Sequence, residues 1–203
     1  MIKNILFDMG QVLIRFDPHV FMARFGISEE DEKLLMRNVY RTLEWAMLDR
    51  GSLSEEEACA RMCARIPERL HDTVQKLVSM WDRPILPVEG MSQLAGALAA
   101  RGYHLFLLSN ASVRQHEYWP RIPGSEYFED TLISADVHLV KPQPEIYLEA
   151  YRKFRILPEE SLFIDDVPLN IEGAYYTGMD GCVFHDDIPE LKAELCRKGI
   201  QVS

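Results

Sequence analysis

The sequence predicts an α/β fold, a Rossmann-like parallel sheet with helices on both faces, plus a helical cap inserted after the first strand. Three observations predict it. Short apolar runs rich in β-branched and aromatic residues recur along the 203 residues, and segments of helical period lie between them. Pro144 and Pro189 stand where two such segments begin, the first-turn position at which a missing N–H costs nothing. Residues 17 to 88 carry helical patterns and no strand pattern.

The first strand is I-K-N-I-L-F-D, at about residues 2–8. After it come helical patterns at about 18–25, 29–48, 54–65 and 70–81. Ser54 with Glu57 forms the S-x-x-E capping box that opens the third of these. The run W-D-R-P-I-L-P-V at 81–88, with its two prolines, reads as the return linker. Beyond it, strands at about 103–108, 131–134, 161–165 and 181–184 intersperse with helices at about 89–101, 111–119, 144–155, 169–177 and 189–198. Strands alternating with helices make a parallel sheet with right-handed crossovers. The expected division is a core of 1–16 with 89–203, and a cap of 17–88.

Composition excludes several functions. With 22 basic and 32 acidic residues the formal charge is −10, the wrong sign for a phosphate backbone, so no nucleic-acid partner is expected. No apolar stretch is long enough to span a membrane, and the start M-I-K-N-I-L-F-D lacks a signal-peptide layout. The expectation is a cytoplasmic protein without a membrane partner, a monomer or weak homodimer. Cys59, Cys63, Cys182 and Cys196 show no zinc-site spacing and read as free, packed thiols.

In open α/β sheets ligands bind beyond the carboxyl ends of the strands. The first strand ends in Asp8, the second in Ser109-Asn110, and the fourth in Asp165-Asp166; Lys141 follows the third. Singly, an acid after a strand is more often a turn former or helix cap than a catalyst. Together they are harder to explain blandly. Adjacent carboxylates at a buried strand end repel unless a cation joins them, and hard oxygen ligands suit Mg²⁺. A hydroxyl, amide donors and a lysine complete a phosphate site.

These motifs, F-D-M-G-Q-V-L, L-L-S-N, V-K-P and F-I-D-D-V-P-L-N in that order, resemble the four motifs of the haloacid dehalogenase-like hydrolase superfamily. The resemblance extends to its helical cap, and is nearest to a bacterial sugar-phosphate phosphatase branch that includes an α-D-glucose-1-phosphate phosphatase. It implies a Mg²⁺-dependent phosphatase of a small phosphorylated metabolite. Asp8 would be the nucleophile that becomes an aspartyl-phosphate. Asp8, the carbonyl of Gly10 and Asp166 would hold the metal, with Asp165 acting directly or through water. Ser109 and the Asn110 amide would hold phosphoryl oxygens, Lys141 would offset charge, and Asn170 would orient the metal ligands.

Gly10 departs from the superfamily pattern, which has an acid there to protonate the leaving oxygen. General acid help is worth on the order of 10²–10⁴-fold. Asp17, at the mouth of the cap, is a candidate replacement. A metal-independent haloacid dehalogenase and a non-catalytic phosphate-binding module are the alternative readings. For substrate choice the candidates are Glu44, Trp45 and Arg50 in L-E-W-A-M-L-D-R-G, and His116 and Trp119 after the second motif.

Overall fold

The computed structural model describes residues 1–202. Strand β1 (Asn4–Phe7) is central in a five-stranded sheet of order β3-β2-β1-β4-β5, with β2 His104–Ser109, β3 Asp130–Ile133, β4 Ser161–Asp165 and β5 Asp180–Val183. All four pairings are parallel; Phe7 stands between Leu107 of β2 and Ile164 of β4. The chain builds outward from β1 through β2 to β3 on one side, then crosses back to add β4 and β5 on the other. This is the strand-order reversal at which parallel sheets open a crevice.

Side-chain alternation along the strands explains why both faces are covered. Ile5, Phe7, Leu105, Leu107, Leu162 and Ile164 enter one buried cluster; Leu6, Phe106, Leu108 and Phe163 enter another. Helices α6 (Met91–Ala99) and α11 (Ile188–Arg197) cover the first face through Leu94, Leu98, Leu191 and Leu195. Helices α9 (Pro144–Phe154) and α10 (Pro168–Tyr176) cover the second through Ile146, Tyr147, Ala150, Ile171 and Ala174. Between the second and fourth strands lie two further short helices, α7 (Gln115–Tyr118) and α8 (Ser134–Val137).

Between β1 and α6 the chain forms five helices: α1 (Pro18–Ala23), α2 (Glu29–Leu35), α3 (Leu43–Asp49), α4 (Glu55–Cys63) and α5 (His71–Ser79). Buried residues Phe21, Met22, Val39, Leu48, Met62, Val74 and Leu77 of this insert belong to the first cluster, so apolar packing runs unbroken from the sheet into it. The helix expected at 29–48 is two. It widens to a π-turn at Met36–Tyr40, leaves helical geometry at Arg41, and restarts where the Thr42 hydroxyl accepts from Trp45 N–H at 3.2 Å. A side-chain cap of this kind fixes a new helix start and hence a new direction. The helix expected at 111–119 shrinks to α7 and a single 3₁₀ turn at Trp119–Arg121, where Pro120 has no N–H to continue the helical ladder. The Ser54 cap forms as expected, accepting from Glu57 N–H.

Candidate active site

Beyond the ends of β1, β2 and β4 lies a cavity of about 230 Å³ between the sheet and the insert. Asp8, Gly10, Ser109, Asn110 and Asp166 form its floor. Asp8 follows β1 directly, and its own N–H continues the ladder to the Ile164 carbonyl, so backbone pairing delivers its carboxylate to the crevice. The carboxylate Oδ1 is buried and accepts no hydrogen bond; the Lys141 ammonium is 2.8 Å away but outside hydrogen-bonding geometry. Burial raises the Asp8 pKa, against the opposing charge of Lys141 and with that of Asp165 adding to it.

Lys141 is held at both ends. Its Nζ donates to the Leu108 carbonyl at 3.1 Å and to Asp165 Oδ2 at 2.6 Å. Its main chain is gripped by the Asn110 side chain, which accepts from Lys141 N–H at 2.8 Å and donates to its carbonyl at 3.1 Å. Burial disfavours the ammonium, but Asp8 and Asp165 together outweigh it and its pKa rises. With its pKa raised, Lys141 keeps its positive charge beside the cavity.

Asp165 and Asp166, adjacent in sequence, do different things. Asp165 is completely buried and does not line the cavity. Its oxygens accept from Lys141, from Val167 N–H at 2.8 Å, and from Asn170 Nδ2 at 3.0 Å. Its carboxylate orients Lys141 and is fixed by Asn170, while its oxygens stay close enough to Asp8 and Asp166 to share a cation. Asp166 faces the cavity, and burial, then the charges of Asp8 and Asp165, push its pKa up to about 6.

Oxygen atoms of Asp8, Asp165 and Asp166 lie within 4.8 Å of one another. Three carboxylates face one ammonium, and Asp8 Oδ1 lacks a donor. This donor set fits a hard divalent cation such as Mg²⁺, which takes oxygen ligands and relieves like-charge repulsion. Asp8, Asp166 and the carbonyl of Gly10 are the groups free to hold it. Among the described residues, the main-chain N–H groups of Met9, Gly10 and Asn110 donate to no protein acceptor, and such clustered donors suit an anion.

The walls are aromatic and acidic. Phe16, Trp45, Trp81 and Tyr118 line the cavity, with Trp81 5.0 Å edge-on from both Phe16 and Tyr118. Asp49 and Glu55, from the insert, also line it; no lysine or arginine does. Both oxygens of Glu55 accept from Arg114, at 2.7 and 3.1 Å, which ties α4 to the sheet side.

Of the residues expected to choose substrate, Trp45 lines the cavity. Glu44, Arg50 and His116 do not, and each is engaged elsewhere. Glu44 takes both terminal nitrogens of Arg65, at 2.9 and 2.8 Å, one residue out of phase with the cavity face of α3. Arg50 Nε donates to the His138 carbonyl at 3.2 Å, and His116 pairs with Asp136 at 3.0 Å. Asn110 contributes its main chain to the cavity, its side chain being committed to Lys141. Asp17 caps α1, accepting from the N–H groups of His19 and Val20, and is not among the residues lining the cavity. Trp119 packs against Phe128. Sequence reasoning missed Phe16, Asp49, Glu55, Trp81 and Tyr118. The signal for Asp49 was present: Trp45, Leu48 and Asp49 are spaced three and four apart and share one helix face.

A family model for haloacid dehalogenase-like hydrolases matches residues 2–176. A glyceraldehyde 3-phosphate phosphatase of Methanopyrus kandleri is 33% identical over 197 residues, covering 88% of this chain and 82% of its own. A D-ribitol-5-phosphate phosphatase of Bacteroides thetaiotaomicron is 27% identical over 184 residues, covering 84% and 86%. A crystal structure from the same species, of a haloacid dehalogenase family enzyme with magnesium and inorganic phosphate, has the same fold with a TM-score of 0.72 at 22% identity, covering 94% of this chain and 99% of its own. With a family model matching most of its length, and with a carboxylate after β1, a buried lysine and an acid pair at one sheet edge, the chain belongs to the haloacid dehalogenase-like hydrolase family.

Proposed function

We propose that the protein is a Mg²⁺-dependent phosphomonoester hydrolase acting on a small phosphorylated metabolite, a sugar or polyol phosphate, with residues 17–88 as a cap over the site. The observation that carries this reading is Asp8: a buried carboxylate that lines a cavity at the end of β1, 2.8 Å from a buried lysine. Relatives of this chain are phosphatases of phosphorylated three- and five-carbon compounds.

In this mechanism the N–H groups of Met9, Gly10 and Asn110 and the Ser109 hydroxyl orient the phosphoryl oxygens, and Lys141 offsets their charge. Asp8 attacks phosphorus in line with the leaving oxygen, and water then hydrolyses the aspartyl-phosphate. Mg²⁺, held by Asp8, Asp166 and the Gly10 carbonyl, would neutralise charge gathering on the phosphoryl group. The cap excludes water, which strengthens every electrostatic contact inside. Because no cation lines the walls, the remainder of the substrate carries no second phosphate or carboxylate. Aromatic walls beside acidic hydrogen-bond acceptors suit the faces and hydroxyls of a carbohydrate. The same acids disfavour a haloacid, whose carboxylate would meet Asp8, Asp49 and Asp166.

The test is phosphate release from ribitol 5-phosphate, glycerol 3-phosphate and p-nitrophenyl phosphate, with Mg²⁺ and with chelator, for wild type and Asp8→Asn. Metal-dependent release that vanishes in Asp8→Asn is expected. Halide release from 2-chloropropionate without metal would reverse the assignment.

A further inference from the structure

Expelling a sugar or polyol alkoxide needs a proton, and nothing in the floor of the site supplies one. Position 10 is glycine; a Cβ built there meets no atom within 4 Å, so packing leaves room for a side chain and chemistry is simply absent. Asp8 and Asp166 are spent on phosphorus and metal in the proposed function, on which this inference rests. Glu55 has both oxygens in the grip of Arg114. Tyr118 also opens on the cavity, but burial and then the charges of Asp49 and Asp82 hold its phenol well above its ordinary range, which makes it a poor donor.

Asp49 remains. It lines the cavity opposite Asp8, and its carboxyl has no hydrogen bond or ion pair among the described residues. Yet its main chain is fastened to the sheet side. Ser134 Oγ donates to the Asp49 carbonyl, Arg50 Nε donates to the His138 carbonyl, and His138 Nδ1 lies 3.0 Å from the Arg50 carbonyl. Gly51, with φ +71°, lies so close that a Cβ would sit 2.3 Å from the Ala135 carbonyl oxygen. A cavity carboxyl with no protein partner, carried on so firmly fastened a backbone, is free to meet something that is not protein.

We propose that Asp49 is the general acid of this enzyme, reaching from the cap to the oxygen between phosphorus and the carbohydrate. As Asp8 bonds to phosphorus and the P–O bond to the leaving group breaks, the Asp49 carboxyl gives its proton to that oxygen and becomes a carboxylate. Water then attacks the aspartyl-phosphate, the bond between phosphorus and Asp8 breaks, the water's proton leaves with the phosphate, and Asp49 regains a proton from solvent. Ester and water go in; alcohol and phosphate come out, with Asp8 and Asp49 restored. Burial, and then the negative charge of Asp8, push the Asp49 pKa up to about 7, where a carboxyl can hold and return a proton near neutrality.

Leaving-group dependence tests this. Alkoxides of ribitol and glycerol need protonation, whereas p-nitrophenolate leaves readily without it. Asp49→Asn keeps size and polarity but cannot donate an acidic proton. With ribitol 5-phosphate or glycerol 3-phosphate, whichever wild type turns over, its kcat falls by about 10²-fold or more, with KM within about threefold. With p-nitrophenyl phosphate the loss is less than about fivefold, which also shows that the variant is folded. Gly10→Asp added to Asp49→Asn restores alkyl ester turnover at least tenfold. Equal losses on both ester types, or an alkyl ester rate that Asp49→Asn leaves intact, would overturn the role of Asp49 while leaving the phosphatase assignment standing. Wild type inactive on every ester would overturn both.

Discussion

The ammonium of Lys141 donates to Asp165 at 2.6 Å with both side chains removed from solvent. This pair, rather than the cavity itself, is the electrostatic foundation of the site. A buried ion pair is a poor source of stability in itself, but breaking one strands the partner. Lys141→Met would leave Asp8 and Asp165 unpaired in a desolvated crevice. It is expected to cost about 3–5 kcal/mol in urea unfolding with chelator present, with loss of turnover. A cost below about 1 kcal/mol would show that these acids are solvated or protonated without their lysine.

Asn110 and Lys141 show how the lysine is kept in register. Both halves of the Asn110 amide bind the Lys141 main chain. Asn110→Ala removes two largely buried hydrogen bonds, at about 1–3 kcal/mol for the groups left unsatisfied. Turnover is expected to fall further than stability suggests, because Lys141 loses its anchor. Urea midpoints and kcat measured side by side check this.

At Asp166 the pKa is raised, to about 6, by burial first and by Asp8 and Asp165 next. The native metal-free protein therefore holds this proton more firmly than the unfolded chain does. Between the ordinary carboxylate range and about pH 6, this group's contribution to stability falls as pH rises. Mg²⁺ needs the ionised form, so its affinity should climb through the same window, with proton release on binding. Calorimetric titration with Mg²⁺ at pH 5 and 7.5 reads both; equal affinities would remove Asp166 from the metal site.

Gly51 lets the insert touch the sheet side at Ala135. Gly51→Ala places a methyl against a backbone oxygen at a left-handed φ, where neither partner yields easily. About 1–3 kcal/mol of destabilisation is expected, with the end of α3 lifted from the cavity. Alkyl ester turnover should fall more than aryl ester turnover, since Asp49 moves with Gly51. Matching losses on the two substrates would separate the loop's position from the proton transfer.

Much of the architecture is written in local sequence. Strand runs such as H-L-F-L-L-S and S-L-F-I-D announce themselves through apolar continuity, and a parallel sheet buried on two faces demands just that pattern. Given such a sheet, residues at strand ends must gather at one edge, so Asp8, Ser109 and Asp165 could be grouped before any coordinates. Placement by strand end is a short-range inference, and backbone pairing carries it over long distances in the chain.

What tertiary structure alone decided is direction. Glu44 and Trp45 are neighbours on α3, yet one residue is a 100° turn on a helix, and only docking against the sheet shows that Trp45 and Asp49 face the cavity while Glu44 turns to Arg65. The break at Arg41 and the cap at Thr42 set that rotation, and packing between the insert and the first buried cluster holds it. Asp165 and Asp166 differ in the same way: strand alternation sends one down to Lys141 and leaves the other open to the cavity. Sequence therefore specified which chemical groups meet at the sheet edge, because period and pairing are local rules. Which insert residue leans over them depended on the packing of helices far apart in the chain, and no local pattern encodes that.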